Sequence, residues 1–340
     1  MDHVNDSRRT RRSLVPGLLL SGVAVVALVA FVDPARAIDV LVSARPAPLV
    51  IAIAVSIAGL IARAAAARQL IDGRIGLGGS FAALNIGYLG NNLLPLRAGE
   101  AIRSVLIGRR SGLGLVGGAA AVAAERVLDV LFAASILLAS LPSVRVEMGG
   151  TPVLPAVAVA SVAITGLIVT ARHRRRLLAW LEPRLAHRPR IAHWLPRLAT
   201  ALDGFARPRR LLAAAGWLAV SWALAVLFFW LVLRAFIPAA PLEWAAFGIG
   251  VLAFGIALPS SPGAVGVYEA AWVGALALCG VASADALAFA VAAHGITFAI
   301  TSIFGVVALV RQAPDGHGIA DRARRLAGTR DLPTPEEAAQ

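Results

Sequence analysis

Long unbroken apolar runs constrain this chain more than anything else in it. Stretches near 14–32, 47–66, 114–141, 152–171, 211–236 and 285–310 approach or pass the ~18–20 apolar residues that cross a bilayer as a helix. Hydrocarbon offers backbone amides and carbonyls no water, so such segments must satisfy their hydrogen bonds internally, as helices do. The 340 residues are 59% hydrophobic and only 15% charged, far more apolar surface than one soluble core of this size needs. The expected class is an all-α polytopic membrane protein.

Net charge is +13, and every basic residue is arginine. Nucleic acid is excluded as a partner by where the arginines lie. They flank the apolar runs, where they set topology and face anionic headgroups. With the N-terminus inside, the inside segments hold four arginines before residue 14, Arg63, Arg68, Arg74, Arg109 and Arg110, eleven over 172–210 and five from Arg311 onward. The outside loops hold only Arg36, Arg45 and Arg145. This bias predicts a multi-pass protein of the bacterial inner membrane with both termini cytoplasmic. The run 14–32 exceeds the apolar core of a signal peptide and reads as an uncleaved first span. The single cysteine, Cys279, permits no disulfide within the chain.

Two further apolar segments, 78–108 and 243–280, are interrupted by proline and glycine near their middles. The first begins and ends beside inside arginines, the second beside outside acids, Glu243 and Asp285. Each is expected to dip into the membrane and return as a re-entrant helical hairpin. The expected architecture is six full spans plus two such hairpins, in pseudo-repeats near 14–141 and 152–310, the second inverted relative to the first. Inverted repeats with broken helices are a transporter architecture with its site near the midplane. Residues 1–312 form one integral membrane domain. Within it, 177–206 alternates leucines with arginines as two interfacial amphipathic helices. Residues 313–340 read as a disordered cytoplasmic tail, and no soluble domain is expected after it.

The first interruption reads LPLRAGE, Leu94 to Glu100. Pro95 removes a backbone donor and disfavours helix at Leu94. Broken backbone at membrane depth is tolerated only inside protein or beside a wet cavity, so this turn predicts a cavity. A second arm starting near Ala98 aims its N-terminus into that cavity, where a phosphate fits, and Arg97 adds a bidentate clamp. Glu100 and Arg103 are spaced to pair on one helix face. In the third span, Glu125, Arg126 and Asp129 interrupt an apolar run, and charges at that depth need a partner or water. They read either as a buried ion-pair network tying this span to the hairpin through Arg103, or as part of a headgroup or proton site. In the second interruption, Ser260, Ser261 and Gly263 form a backbone-exposing loop before Tyr268 and Glu269. His294 and Thr297 are candidate polar partners for Glu269, with His294 read as a satisfied core histidine ahead of a proton relay. Asn85, Asn91 and Asn92 are placed to satisfy the first turn. No metal-ligand cluster, phosphate loop, nucleophile elbow or dinucleotide fingerprint is present, so no cofactor is expected and the chain is read as non-enzymatic.

Three stretches, NNLLPLRAGEAIR (91–103), AAERVLDVL (123–131) and LPSSPGAVGVYEAA (258–271), resemble the lysylphosphatidylglycerol synthase transmembrane-region family of flippase-like membrane proteins. The resemblance implies re-entrant architecture. In that family the multiple peptide resistance factors join this region to a cytosolic aminoacyl transferase domain, and the membrane region moves the product across the bilayer. Here the chain stops after the sixth span, so lysyl transfer is not expected. What carries over is translocation of a lipid or lipid-linked substrate. The partners implied are membrane lipids, anionic or polyprenyl-linked. The expected binding residues are Arg97, Glu100, Arg103, Glu125, Arg126, Asp129, Ser260, Ser261, Gly263, Tyr268 and Glu269. One alternative is a non-catalytic subunit docking a separate cytosolic or membrane enzyme on the arginine-rich segment 172–210. The other is a polyprenyl-phosphate sugar transferase, for which the outer loop 33–46 offers only Asp33 and Asp39.

Overall fold

The computed structural model describes residues 33–94, 97–141, 208–256 and 261–312, with Gly22, Val26 and Leu28 before them. The expected spans 14–32 and 152–171, the amphipathic pair 177–206 and the tail 313–340 lie outside this set, as do Pro95, Leu96 and residues 257–260.

Among the described residues the chain is all helical, with no strand. Helix α1 is Pro34–Val42, α2 Pro46–Leu70, α3 Leu77–Leu93, α4 Ala98–Ser111 and α5 Gly114–Ser140. Then follow α6 Pro208–Phe236, α7 Leu242–Gly255, a 3-10 turn at Pro262–Ala264, α8 Val267–Leu278 and α9 Ser283–Gln312. Helices α2, α6 and α9 are long and apolar enough to cross a membrane. They expose Val50, Ile51, Leu212, Ile303 and Val310, the surface a helix turns to lipid. Helix α5 has 27 residues, about 40 Å of rise, with its three charges at mid-length. The stretch 33–46, expected as a loop, holds α1, because Asp33 caps it by accepting from the amides of Ala35 and Arg36.

Helices α2 and α6 form a central antiparallel pair. The Arg45 amide donates to the Ala235 carbonyl at 3.0 Å. Ser221 Oγ donates to the Gly59 carbonyl at 3.1 Å. Ala66 and Leu218 share one cluster, and Leu70 and Ala214 another.

Two pairs of short helices flank this core. Helices α3 and α4 have 17 and 14 residues, α7 and α8 have 14 and 12, and all rise less than the ~30 Å of hydrocarbon. Helix α3 ends at Leu94, whose ψ of 145 is the extended conformation a following proline demands. Helix α4 packs back on α3 through glycine. A Cβ on Gly90 would lie 2.9 Å from Gly99 Cα, and one on Gly87 3.1 Å from Arg103 Cβ. In the second pair Gly248 gives up its side-chain space to the wholly buried Trp272. That indole packs on Phe229 and Phe289, ring centroids 4.8 Å away in each case. Small residues bring helix backbones into the close contact that replaces the hydrophobic effect in lipid.

The two short-helix pairs exchange supports. Helix α3 packs on α9, where a Cβ on Gly305 would meet Leu89 Cβ at 2.6 Å and the Asn85 carbonyl at 2.7 Å. Helix α7 packs on α5, where a Cβ on Gly250 would meet Leu137 Cβ at 2.8 Å. Each pair thus leans on the long helix that closes the other half of the chain.

Candidate functional site

The second arms of the two short-helix pairs begin alike. Arg97 caps α4 with φ 55, and Gly266 caps α8 with φ 86. Three residues on, each helix carries a glutamate, Glu100 and Glu269. Among the described residues the second pair adds a 3-10 turn, Pro262–Ala264, before its cap. The ends of the pairs converge on α9. Asn92 Nδ2 donates to Thr301 Oγ1 at 3.1 Å and to Ser302 Oγ at 2.9 Å. A Cβ on Gly263 would lie 3.2 Å from the Phe298 ring and 3.7 Å from the Asn92 carbonyl.

A cavity of about 360 Å³ opens between these ends and the central helix pair. Its charged and polar lining includes Arg63, Tyr88, Arg97, Ser261, Tyr268 and His294. Several aromatic rings, Phe228, Phe229 and Phe298 among them, complete the wall. A volume of that order holds a small ligand or a lipid headgroup.

Beside the cavity the charges of α2, α4 and α5 lock together. Arg103 grips Glu125 with both terminal nitrogens, Nη1 to Oε1 at 3.0 Å and Nη2 to Oε2 at 2.5 Å. Arg63 Nε donates to Glu125 Oε1 at 3.1 Å, and its Nη2 pairs with Asp129. Arg126 reaches Glu125 at 3.2 Å, Asp129 at 3.3 Å and Glu100 at 3.9 Å. Trp222 Nε1 donates to the other Asp129 oxygen at 3.0 Å. Three arginines thus answer three carboxylates in a medium where an unanswered charge is costly. Arg97 is the exception. It has no ion pair or hydrogen bond among the described residues, and it lines the cavity at the start of α4, where free helix amides also favour an anion.

In the second pair Glu269 is withdrawn from the cavity. Its Oε2 accepts from the Gly266 amide at 2.7 Å, and its Oε1 lies 2.6 Å from His294 Nδ1. Tyr268 stacks on the His294 ring, centroids 4.1 Å apart at 19°.

Of the sequence-predicted residues, Arg97, Ser261, Gly263 and Tyr268 line the cavity. Glu100, Arg103, Glu125, Arg126 and Asp129 form the ion cluster beside it, and Ser260 lies outside the described residues. The expected Glu100–Arg103 pair does not form. Arg103 is drawn across to the buried Glu125, and Glu100 faces Arg126 instead. Sequence reasoning missed Arg63, counted there as a flanking topology charge, although it joins Glu125 from 62 residues away. It named His294 as a polar partner for Glu269, and the two do meet at 2.6 Å, but it did not place the ring at the cavity that it borders.

A family model described as lysylphosphatidylglycerol synthase TM region matches residues 14–305. The chain is also similar to a curated protein named glycosyltransferase AglD, from Haloferax volcanii. The identity is 26% over 370 residues, covering 95% of this chain and 59% of the relative. The chain therefore spans less than two thirds of that relative's length. No solved structure matches. The likeness to a protein named as a glycosyltransferase overturns the reading of a non-enzymatic chain. That reading rested on missing contiguous motifs, and polar groups brought together by membrane helices need leave none.

Proposed function

Because the chain belongs to the lysylphosphatidylglycerol synthase TM region family, we propose that this membrane protein binds the anionic headgroup of a lipid or lipid-linked substrate in the cavity beside Arg97 and carries it between leaflets. The observation that carries the reading is the unpaired Arg97. A half-buried arginine without a counter-ion at the edge of a cavity makes sense where the counter-ion arrives with a ligand. The guanidinium and the N-terminus of α4 together suit a phosphate oxygen pair. The ion cluster of Arg63, Arg103, Arg126, Glu100, Glu125 and Asp129 is the frame that holds α2, α4 and α5 around this site.

The reciprocal packing of α3 on α9 and α7 on α5 supports an inverted repeat, and the short arms of both pairs support re-entrant hairpins with a midplane cavity. The arginine bias supports cytoplasmic termini. A second reading, glycosyl transfer to or from a lipid-linked substrate in the same cavity, is favoured by the glycosyltransferase relative. There the Glu269–His294 pair would stand beside the reacting headgroup.

Native mass spectrometry of the purified protein with its co-purifying lipid tests the shared element. One anionic lipid enriched over the bulk membrane, and lost in Arg97→Gly, is the expected result. Bulk lipid unchanged by the substitution would defeat the reading. Reconstituted vesicles then separate its two forms: leaflet exchange of a fluorescent analogue of that lipid marks a carrier, and turnover of a radiolabelled sugar on it marks a transferase.

A further inference from the structure

The cavity has a second ionisable element that anion binding by itself leaves unused. His294 Nδ1 sits 2.6 Å from Glu269 Oε1, with the two side chains 13% and 11% accessible. The pair is shielded, yet the His294 ring borders the same cavity as Arg97. A carboxylate acceptor fixes the neutral imidazole with its proton on Nδ1, which leaves Nε2 as a base. Tyr268, stacked on the ring at 4.1 Å, offers an aromatic face that steadies an imidazolium.

Charge counting gives this pair a role. Arg63, Arg103 and Arg126 balance Glu100, Glu125 and Asp129. Arg97 then contributes one positive charge, and Glu269 beside a neutral His294 one negative. The empty cavity region is therefore neutral overall. A monoanionic headgroup on Arg97 tips it negative in a poorly polarisable medium, and one proton on His294 restores neutrality. The other titratable groups facing the cavity are Arg63 from α2, Tyr88 from α3 and Tyr268 from α8. The lining residues of α6 bring none, and no lining residue comes from α1.

We propose that the Glu269–His294 pair is the proton-loading site of this cavity, taking up one proton with each anionic headgroup bound. In a carrier, anion movement would then be coupled to proton movement. The inference rests on the reading of Arg97 as a headgroup site.

The test is calorimetric titration of the purified full chain with dioctanoyl phosphatidylglycerol between pH 5.5 and 8.5, in buffers of different ionisation enthalpy. Wild type is expected to take up close to one proton per lipid, and over the pH range where it does so its affinity should fall about tenfold per pH unit. His294→Gln should bind with no proton uptake and a flat pH profile, and Arg97→Gly should bind about 10- to 100-fold more weakly than wild type. Wild-type binding without proton uptake overturns the coupling and leaves the headgroup site standing. Proton uptake that survives in both His294→Gln and Glu269→Gln overturns the assignment to this pair. No wild-type binding at any pH removes the headgroup reading and the coupling with it. The wild-type proton count decides whether coupling exists even if a variant fails to fold.

Discussion

Glu125 lies within 3.2 Å of three guanidinium groups, Arg103 with two contacts and Arg63 and Arg126 with one each, while its own side chain is 1% accessible. The cluster is thus a hub with unequal spokes, and truncation should read that inequality. Glu125→Leu strands Arg103 against an apolar side chain and leaves Arg63 and Arg126 with only Asp129 and Glu100. Breaking a buried pair by removing one partner costs about 3–5 kcal/mol, and this is the fullest case of it. Arg103→Leu leaves Glu125 with two arginines and should cost about 1–3 kcal/mol. Thermal unfolding in one detergent gives the order. Equal losses, or a milder Glu125→Leu, would mean the network is not centred on Glu125.

Arg97 separates binding from folding because its backbone and side chain have opposite interests. Its φ of 55 is the left-handed region, where glycine is at ease and arginine is not. Its side chain has no protein partner among the described residues. Arg97→Gly should therefore hold or raise the unfolding temperature while weakening dioctanoyl phosphatidylglycerol binding about 10- to 100-fold, the worth of one charge-assisted contact of about 1.5–3 kcal/mol. Arg97→Lys, a point charge in place of a fork, should fall between. A large drop in unfolding temperature for Arg97→Gly would make the side chain structural.

Run length and the positions of charge made the membrane class and most helices legible, because in hydrocarbon those two quantities leave few choices. The same two quantities hid Arg63. A lone arginine near the end of an apolar helix reads as an inside flank, and only the helix partners reveal Glu125 and Asp129 opposite it. Glu269 failed differently. Its isolation in apolar sequence suggested a cavity wall, but the loop before α8 folds so that its carboxylate caps Gly266 and holds His294. The shared spacing of cap and glutamate in the two arms was obscured by the 3-10 turn that lengthens one of them. Pairings across 60 or more residues are set by helix packing, which leaves no local signature.

Glycine offers a sharp packing test, since two glycines on analogous second arms face opposite surroundings. A Cβ on Gly99 would lie 2.6 Å from Asn91 Oδ1 and 2.7 Å from the Asn91 amide, and closer still to the Gly87 carbonyl. Backbone cannot yield as a side chain can, so Gly99→Ala should open the α3–α4 contact and cost about 1–3 kcal/mol. Gly274 on α8 has nothing within 4 Å of its added methyl. Gly274→Ala should be neutral or slightly stabilising through helix propensity. Equal unfolding temperatures for the two variants would show that α3 and α4 are not in glycine-mediated contact.

The inverted-hairpin reading makes the ends of the two short-helix pairs face opposite sides of the membrane. Gly78 and Arg109 mark the open end of the first pair, and Leu242 and Ala282 that of the second; all four are exposed. In a Cys279→Ala background, single cysteines at these positions report sidedness. A membrane-impermeant maleimide added to intact cells should label 242 and 282, and should reach 78 and 109 only after the membrane is opened. Labels split between the two ends of one pair would mean that pair crosses the bilayer, so its turn could not sit at mid-depth beside Arg97. Labels for all four on one side would remove the inversion, and with it the reason for both turns to meet in one cavity. The expected two-and-two pattern requires both arms of each pair to return to the face they left, which arms of 12 to 17 residues are too short to do otherwise without exposing broken backbone to lipid.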